Sequence, residues 1–133
     1  MILLDTSFLV AYYNERDVHH KKAKEIMDKI YEEEYGETYI NDYIFDELSK
    51  VLWVRFGDLK KVINTCEPIK KILTVEADKN LFERAWQIFK NQESTSFSFT
   101  DCFILSSMEG KKIKHIATFD KDFSKIKDII VVN

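Results

Sequence analysis

Short, largely apolar runs recur along this chain with helix-length segments between them, and that alternation restricts the fold more than any other feature. The runs lie at residues 1–5, 38–41, 69–75, 113–118 and 129–132. The intervening segments 6–14, 17–35, 42–56, 59–66, 77–91, 100–109 and 120–126 read as helices. In the second of them Ala23, Ile26, Met27, Ile30 and Tyr31 recur at the spacing of one helical face. Gly36 and Gly110 stand where helix stops are expected, and Asp42 where an N-cap is expected. The segment Ser94–Phe99 is the most loop-like stretch. Strands alternating with helices imply βαβ units and a mostly parallel sheet covered on both faces. The fold class is α/β.

The length of 133 residues suits a single domain over 1–133 with a substantial core. A hydrophobic content of 45% beside 32% charged residues excludes a disordered chain. The opening run has no basic start and no small-residue cleavage site, so it does not read as a signal peptide. No stretch approaches the roughly 18 uncharged apolar residues of a membrane span. Cys66 and Cys102 form no CxxC pair, which fits two buried, reduced thiols in a cytoplasmic protein.

Within the opening MILLDTSFLVAYY, Asp5 interrupts the most apolar stretch of the chain. A carboxylate with that much hydrocarbon around it needs a specific partner or a shifted pKa. In open parallel sheets, ligands bind outside the carboxyl ends of the strands. Asp5 ends the first strand, Asp120 follows the 113–118 strand, Asp101 opens the helix after the loop, and Glu47 lies early in the helix after 38–41. At about 100° per residue, Ile44, Leu48, Val51 and Leu52 make the inward stripe of that helix. Glu47 falls on its flank, whereas Asp46 points away toward a surface pair with Lys50. Asp101 shares its stripe with Ile104, Leu105 and Met108.

Ordinary roles are open to each acid. Asp5 and Asp120 can cap the helices that follow them, Glu47 can pair with a basic residue, and Ser98-Phe99-Thr100-Asp101 matches a capping box. Four caps and pairs need not converge on one edge, however, and converging carboxylates ordinarily hold a cation. Oxygen ligands without a nearby Cys or His favour a hard ion, Mg²⁺ or Mn²⁺, over zinc. His19, His20 and His115 fit no metalloprotease spacing and read as structural or surface residues. With 3 glycines the chain has no phosphate-binding glycine loop, and it has no GxSxG elbow. An acid cluster holding a metal and activating water suits hydrolysis of a phosphodiester.

LLDTSFLVA at the start, the helix carrying DELSKVL, then SFTDCFILSSM and ATFDKDF together resemble the PIN-domain nucleases, particularly the VapC-type toxin ribonucleases of prokaryotes. The resemblance covers essentially the whole chain in motif order. It implies a three-layer α/β/α fold with a central, mostly parallel sheet, and Mg²⁺- or Mn²⁺-dependent endoribonuclease activity. It carries the family's acids onto Asp5, Glu47, Asp101 and Asp120, with Asp5, Asp101 and Asp120 as metal ligands. Glu47 and Asp120 complete the acidic pocket and orient water. The small hydroxyl residues fall on Thr6 or Ser7 and on Thr118, and Asp122 is an alternative to Asp120. The resemblance also implies an RNA substrate, a homodimer and an antitoxin protein as partner. Tyr12, Tyr13, Trp53 and Phe56 are candidates for partner surfaces, with core packing the competing fate.

Three readings compete with a toxin. An RNA-processing PIN nuclease would carry the same acids; loss of a site acid would favour a non-catalytic binding module on the same fold, and all four acids are present. A phosphoryl-transfer domain of the DxD type would want an acid at position 7, where this chain has Ser7. The net charge of −3 argues against a protein that merely coats nucleic acid. Setting four acids aside as ligands moves that balance to +1, and lysine clusters lie at Lys21-Lys22-Lys24, Lys60-Lys61, Lys70-Lys71 and Lys111-Lys112-Lys114.

Overall fold

The computed structural model describes residues 1–133. In chain order the elements are β1 (Ile2–Leu4), α1 (Thr6–Tyr13), α2 (His20–Tyr31), β2 (Thr38–Asn41), α3 (Asp42–Phe56), α4 (Leu59–Ile69), β3 (Leu73–Val75), α5 (Lys79–Lys90), α6 (Phe99–Lys111), β4 (His115–Ala117) and β5 (Ile130–Val132). A 3-10 turn at Lys121–Lys125 joins the last two strands. The five strands form one parallel sheet in the order β3-β2-β1-β4-β5. β1 is central, with Leu3 beside Tyr39 on one side and Ile116 on the other. Ile2, Leu3 and Leu4 are at most 1% exposed, so this strand reads as continuous hydrocarbon without alternation.

The strand order sets the layers. The chain moves from β1 outward through β2 to β3, then crosses back past β1 to β4. With right-handed crossovers, opposite directions of travel put the helices on opposite faces. α1 packs against α2 and α3, and α3 against α4, while α5 and α6 pack as a pair. The expected α/β/α arrangement is thus the observed one. A contiguous cluster of 29 buried hydrophobic residues, with Phe8, Phe103 and Phe123 fully inside, fills the space between the layers.

Several local expectations need correction. α2 ends at Tyr31, short of residue 35, because Glu32-Glu33-Glu34 would set negative charge on a helix C-terminus. Gly36, at φ +72°, serves the turn into β2. Residues 17–19 lie outside the helix as a turn. The cap of α3 is Asn41, whose side chain accepts from the Ile44 amide, and not Asp42. Asp42 instead accepts from the Ala77 amide.

α4 runs through Pro68 to Ile69, where a strand was expected to begin. Proline costs one intrahelical bond there, and burial of Val62, Cys66 and Ile69 on one face offsets it. β3 is correspondingly confined to three residues. Gly110 lies inside α6; the left-handed stop is Lys112, at φ 57°. A Cβ at Gly110 would sit 3.1 Å from Leu81 Cδ2, so this glycine lets α5 approach α6. α5 begins at Lys79 behind an Asp78 cap, two residues later than expected. The Asp46–Lys50 pair is not formed: both side chains are exposed, where such a pair contributes little.

Candidate functional site

β1 and β4 are the neighbours at which the strand order reverses, and a parallel sheet leaves its crevice at the carboxyl ends of such strands. An open cleft of about 590 Å³ lies there, lined by Asp5, Thr6, Ser7, Glu47, Asp101 and Asp120 among others. Asp5 follows β1 directly and caps α1. It is 5% exposed. Its Oδ1 accepts from the Thr6 amide at 2.7 Å. Its Oδ2 accepts from the Ser7 amide at 3.3 Å and from the hydroxyls of Ser7 and Thr118 at 2.5 and 2.7 Å.

Thr118 thus links the end of β4 to the end of β1, and its oxygen also accepts from the Asp120 amide. Ser7 Oγ accepts from the Phe119 amide at 3.0 Å. Each hydroxyl has one proton, and both are given to Asp5. Burial still pushes the Asp5 carboxyl above the ordinary range, against the opposing effect of these bonds.

Asp101 occupies the first turn of α6 within a complete capping box. Its Oδ2 accepts from the Ser98 amide and hydroxyl, each at 2.7 Å, and Ser98 Oγ accepts from the Asp101 amide at 3.2 Å. Burial raises its pKa first, and the negative charges of Asp5 and Asp120 raise it further. Glu47 accepts from Thr6 Oγ1 at 2.7 Å through Oε2. Asp120 accepts from the Asp122 amide at 2.9 Å through Oδ1, capping the 3-10 turn.

The capping roles and the convergence on one edge are therefore both realised. Asp122 is not brought to the cleft lining. Its two oxygens take Lys125 Nζ and the Ser96 amide, and Lys125 holds its carboxyl below the ordinary range.

The donor set fits a hard cation. Glu47, Asp101 and Asp120 each fasten themselves through one carboxylate oxygen and leave the other without a protein donor, while Asp5 Oδ1 takes a single bond. Positive charge offsets the burial that raises Asp5, and the burial and repulsion that raise Asp101. As they stand, no three acidic, histidine or cysteine side chains lie close enough together to hold an ion, so binding one requires the acids to draw inward.

Sequence reasoning missed part of this lining. Asp17, His19, Arg55 and Phe119 also border the cleft. Glu47, Val51 and Arg55 recur four residues apart, so the helical phase that singled out Glu47 also carries Arg55. His19 and Asp17 come from a turn with no periodicity to read. Of the four aromatics considered for partner surfaces, Tyr12, Tyr13 and Phe56 are partly buried against the core and Trp53 is 47% exposed.

The PIN domain family model matches residues 2–129. A VapC ribonuclease of Archaeoglobus fulgidus is 25% identical over 123 residues, 92% of this chain and 78% of that protein. The crystal structure of Mycobacterium tuberculosis VapC20, a sarcin–ricin loop cleaving toxin, superposes with a TM-score of 0.81 at 23% identity, covering 94% of each chain. A toxin–antitoxin complex from Klebsiella pneumoniae superposes with a TM-score of 0.75 at 16% identity, over 100% of this chain and 98% of that one.

Proposed function

This chain belongs to the PIN domain family, and from that membership we propose that it is a metal-dependent endoribonuclease acting as the toxin of a toxin–antitoxin pair. The observation that carries the reading is the cleft at the β1–β4 edge, lined by Asp5, Glu47, Asp101 and Asp120 with carboxylate oxygens to spare. Asp5, Asp101 and Asp120 would hold the ion, Mg²⁺ or Mn²⁺. The ion, when bound, supplies Lewis-acid stabilisation of a phosphodiester and favours ionisation of water.

The remaining work falls to the chain. Thr118 and Ser7 hold Asp5 through its Oδ2 and leave Oδ1 nearly free. Thr6, by donating to Glu47, keeps the Oε2 of that carboxylate engaged and its Oε1 available to orient water. Ser98 restrains Asp101 at the mouth of α6.

The RNA substrate, the antitoxin partner, a homodimeric state, a single domain over 1–133 and a cytoplasmic location belong to the same proposal. The relatives named VapC ribonuclease and toxin–antitoxin complex support it. No helix is long and apolar enough to cross a membrane. The test is cleavage of cellular RNA by purified protein with Mg²⁺, Mn²⁺ or EDTA, beside Asp101→Asn. Cutting that needs the metal and is lost in the variant supports the nuclease; cutting that survives both refutes it. Growth arrest on expression, relieved by co-expressing a small adjacent reading frame, separates a toxin from an RNA-processing enzyme.

A further inference from the structure

The cleft asks an anionic polymer to approach five carboxylates, those of Asp5, Asp17, Glu47, Asp101 and Asp120. A metal offsets part of that repulsion at the reacting phosphate only. Among the lining residues Arg55 carries the one guanidinium, and no lysine lines the cleft. It projects from the last turn of α3 on the face that holds Glu47, and its side chain is 46% exposed. Its partner is Asp17, at 3.7 Å. A single, partly exposed contact of that length adds little stability and leaves most guanidinium donors unused.

Asp17 also organises the opposite wall. Its Oδ1 accepts from the His19 amide at 3.0 Å, and its backbone amide is tied to the Asn14 carbonyl at 2.9 Å. The His19 ring lies flat on Phe119, with centroids 4.3 Å apart and planes 9° apart. Phe119 in turn stacks on the buried Phe8 at 6.2 Å. The three rings make a column rising from the core to an exposed imidazole beside the acids, and Phe119 is the only aromatic ring against His19.

From this arrangement we propose a nucleotide subsite beside the acid cluster: His19, backed by Phe119, stacks a base of single-stranded RNA, and Arg55 grips the adjoining phosphate. The assignment rests on the nuclease reading and extends it to how the strand is held. A base stacked on a ring is recognised without regard to its edge, so this subsite supplies affinity and strand placement more than sequence choice. A planar guanidinium with free donors suits phosphate oxygens. Asp17 touches both sides of the subsite, one carboxylate oxygen fixing the His19 backbone and the other facing the Arg55 guanidinium.

The test is fluorescence anisotropy of a fluorescein-labelled, mixed-sequence single-stranded RNA, with full-length chain silenced by Asp101→Asn. Adding His19→Ala weakens binding about tenfold, and His19→Phe restores it. Adding Arg55→Ala lowers the slope of log affinity against log salt by about 0.7, the share of one phosphate on a single strand, and Arg55→Lys keeps the slope. In the otherwise unaltered chain, His19→Ala and Arg55→Ala leave the thermal shift produced by Mn²⁺ unchanged, so lost affinity is not a lost metal site. Unchanged RNA affinity and slope in both variants, with the parent still cutting RNA, overturn the subsite and leave the nuclease. A parent that neither binds RNA nor cuts it overturns both.

Discussion

Leu4 and Asp5 are consecutive, yet they open onto two concavities of nearly equal size and opposite chemistry. Leu4 faces a groove of about 640 Å³ lined by Leu9, Met27, Ile30, Ile69 and Ile72, while Asp5 faces the acidic cleft of about 590 Å³. α1 repeats the division, sending Leu9 and Tyr13 to the groove and Thr6, Ser7 and Val10 to the cleft. The groove is a continuation of the core, where each added hydrocarbon contact favours the fold. In the cleft, burial at Asp5, and burial joined by like charge at Asp101, disfavour the ionised forms. Size alone does not distinguish a site; the retained cost of charging does.

Substitutions on the two sides should therefore separate activity from stability. The largest effect is expected from Asp101→Asn, which should lower metal-dependent RNA cleavage by at least about 100-fold, since several kcal/mol of charge stabilisation go with the ion. The same variant should melt no lower than the parent without metal. Across the division, Leu9→Ala removes a side chain that is 0% exposed. It should cost about 3 kcal/mol in urea unfolding, while the protein that remains folded keeps its cleavage rate.

A smaller effect concerns pH. Asp101 has a raised carboxyl, so its contribution to metal-free stability is complete below the usual value of 3.8 and is lost as pH rises through its folded value. Asp101→Asn should therefore gain on the parent as pH increases through that window. Asp122, lowered by Lys125, has the opposite sign: its contribution is present above 3.8 and fades as pH falls through its folded value. Thermal melts of parent, Asp101→Asn and Asp122→Asn across pH 3 to 8, without metal, check both directions; parallel curves would remove the electrostatic contrast.

The smallest effect is chemical. The Cys102 thiol is buried and pushed up to about 11, and the buried Cys66 thiol is also raised. Neither should react with a disulfide reagent at neutral pH until the protein unfolds.

The contrast also explains what could be read in advance. β1 and the helices with strong periodicity were legible because burial on both faces or on one stripe leaves a repeating mark. The candidate acids were legible because charge inside hydrocarbon is conspicuous, as at Asp5. Pro68 and Gly110 misled because tertiary contacts overrode their local preference: Ile69 had a core to enter, and Leu81 needed room against α6. His19 was discounted because a turn has no period and its stacking on Phe119 joins residues 100 positions apart. The roles of Asp101 as cap and as candidate site acid could not be separated from spacing, since both ask for an acid at one position.

The most direct measurement of the central claim is Mn²⁺ titration by calorimetry on the parent, Asp5→Asn and Asp101→Asn, at neutral pH. Saturable binding by the parent that disappears in both variants, while both stay folded, is the predicted result. Binding of equal strength in all three, or none in the parent, would mean that these carboxylates serve as helix caps alone.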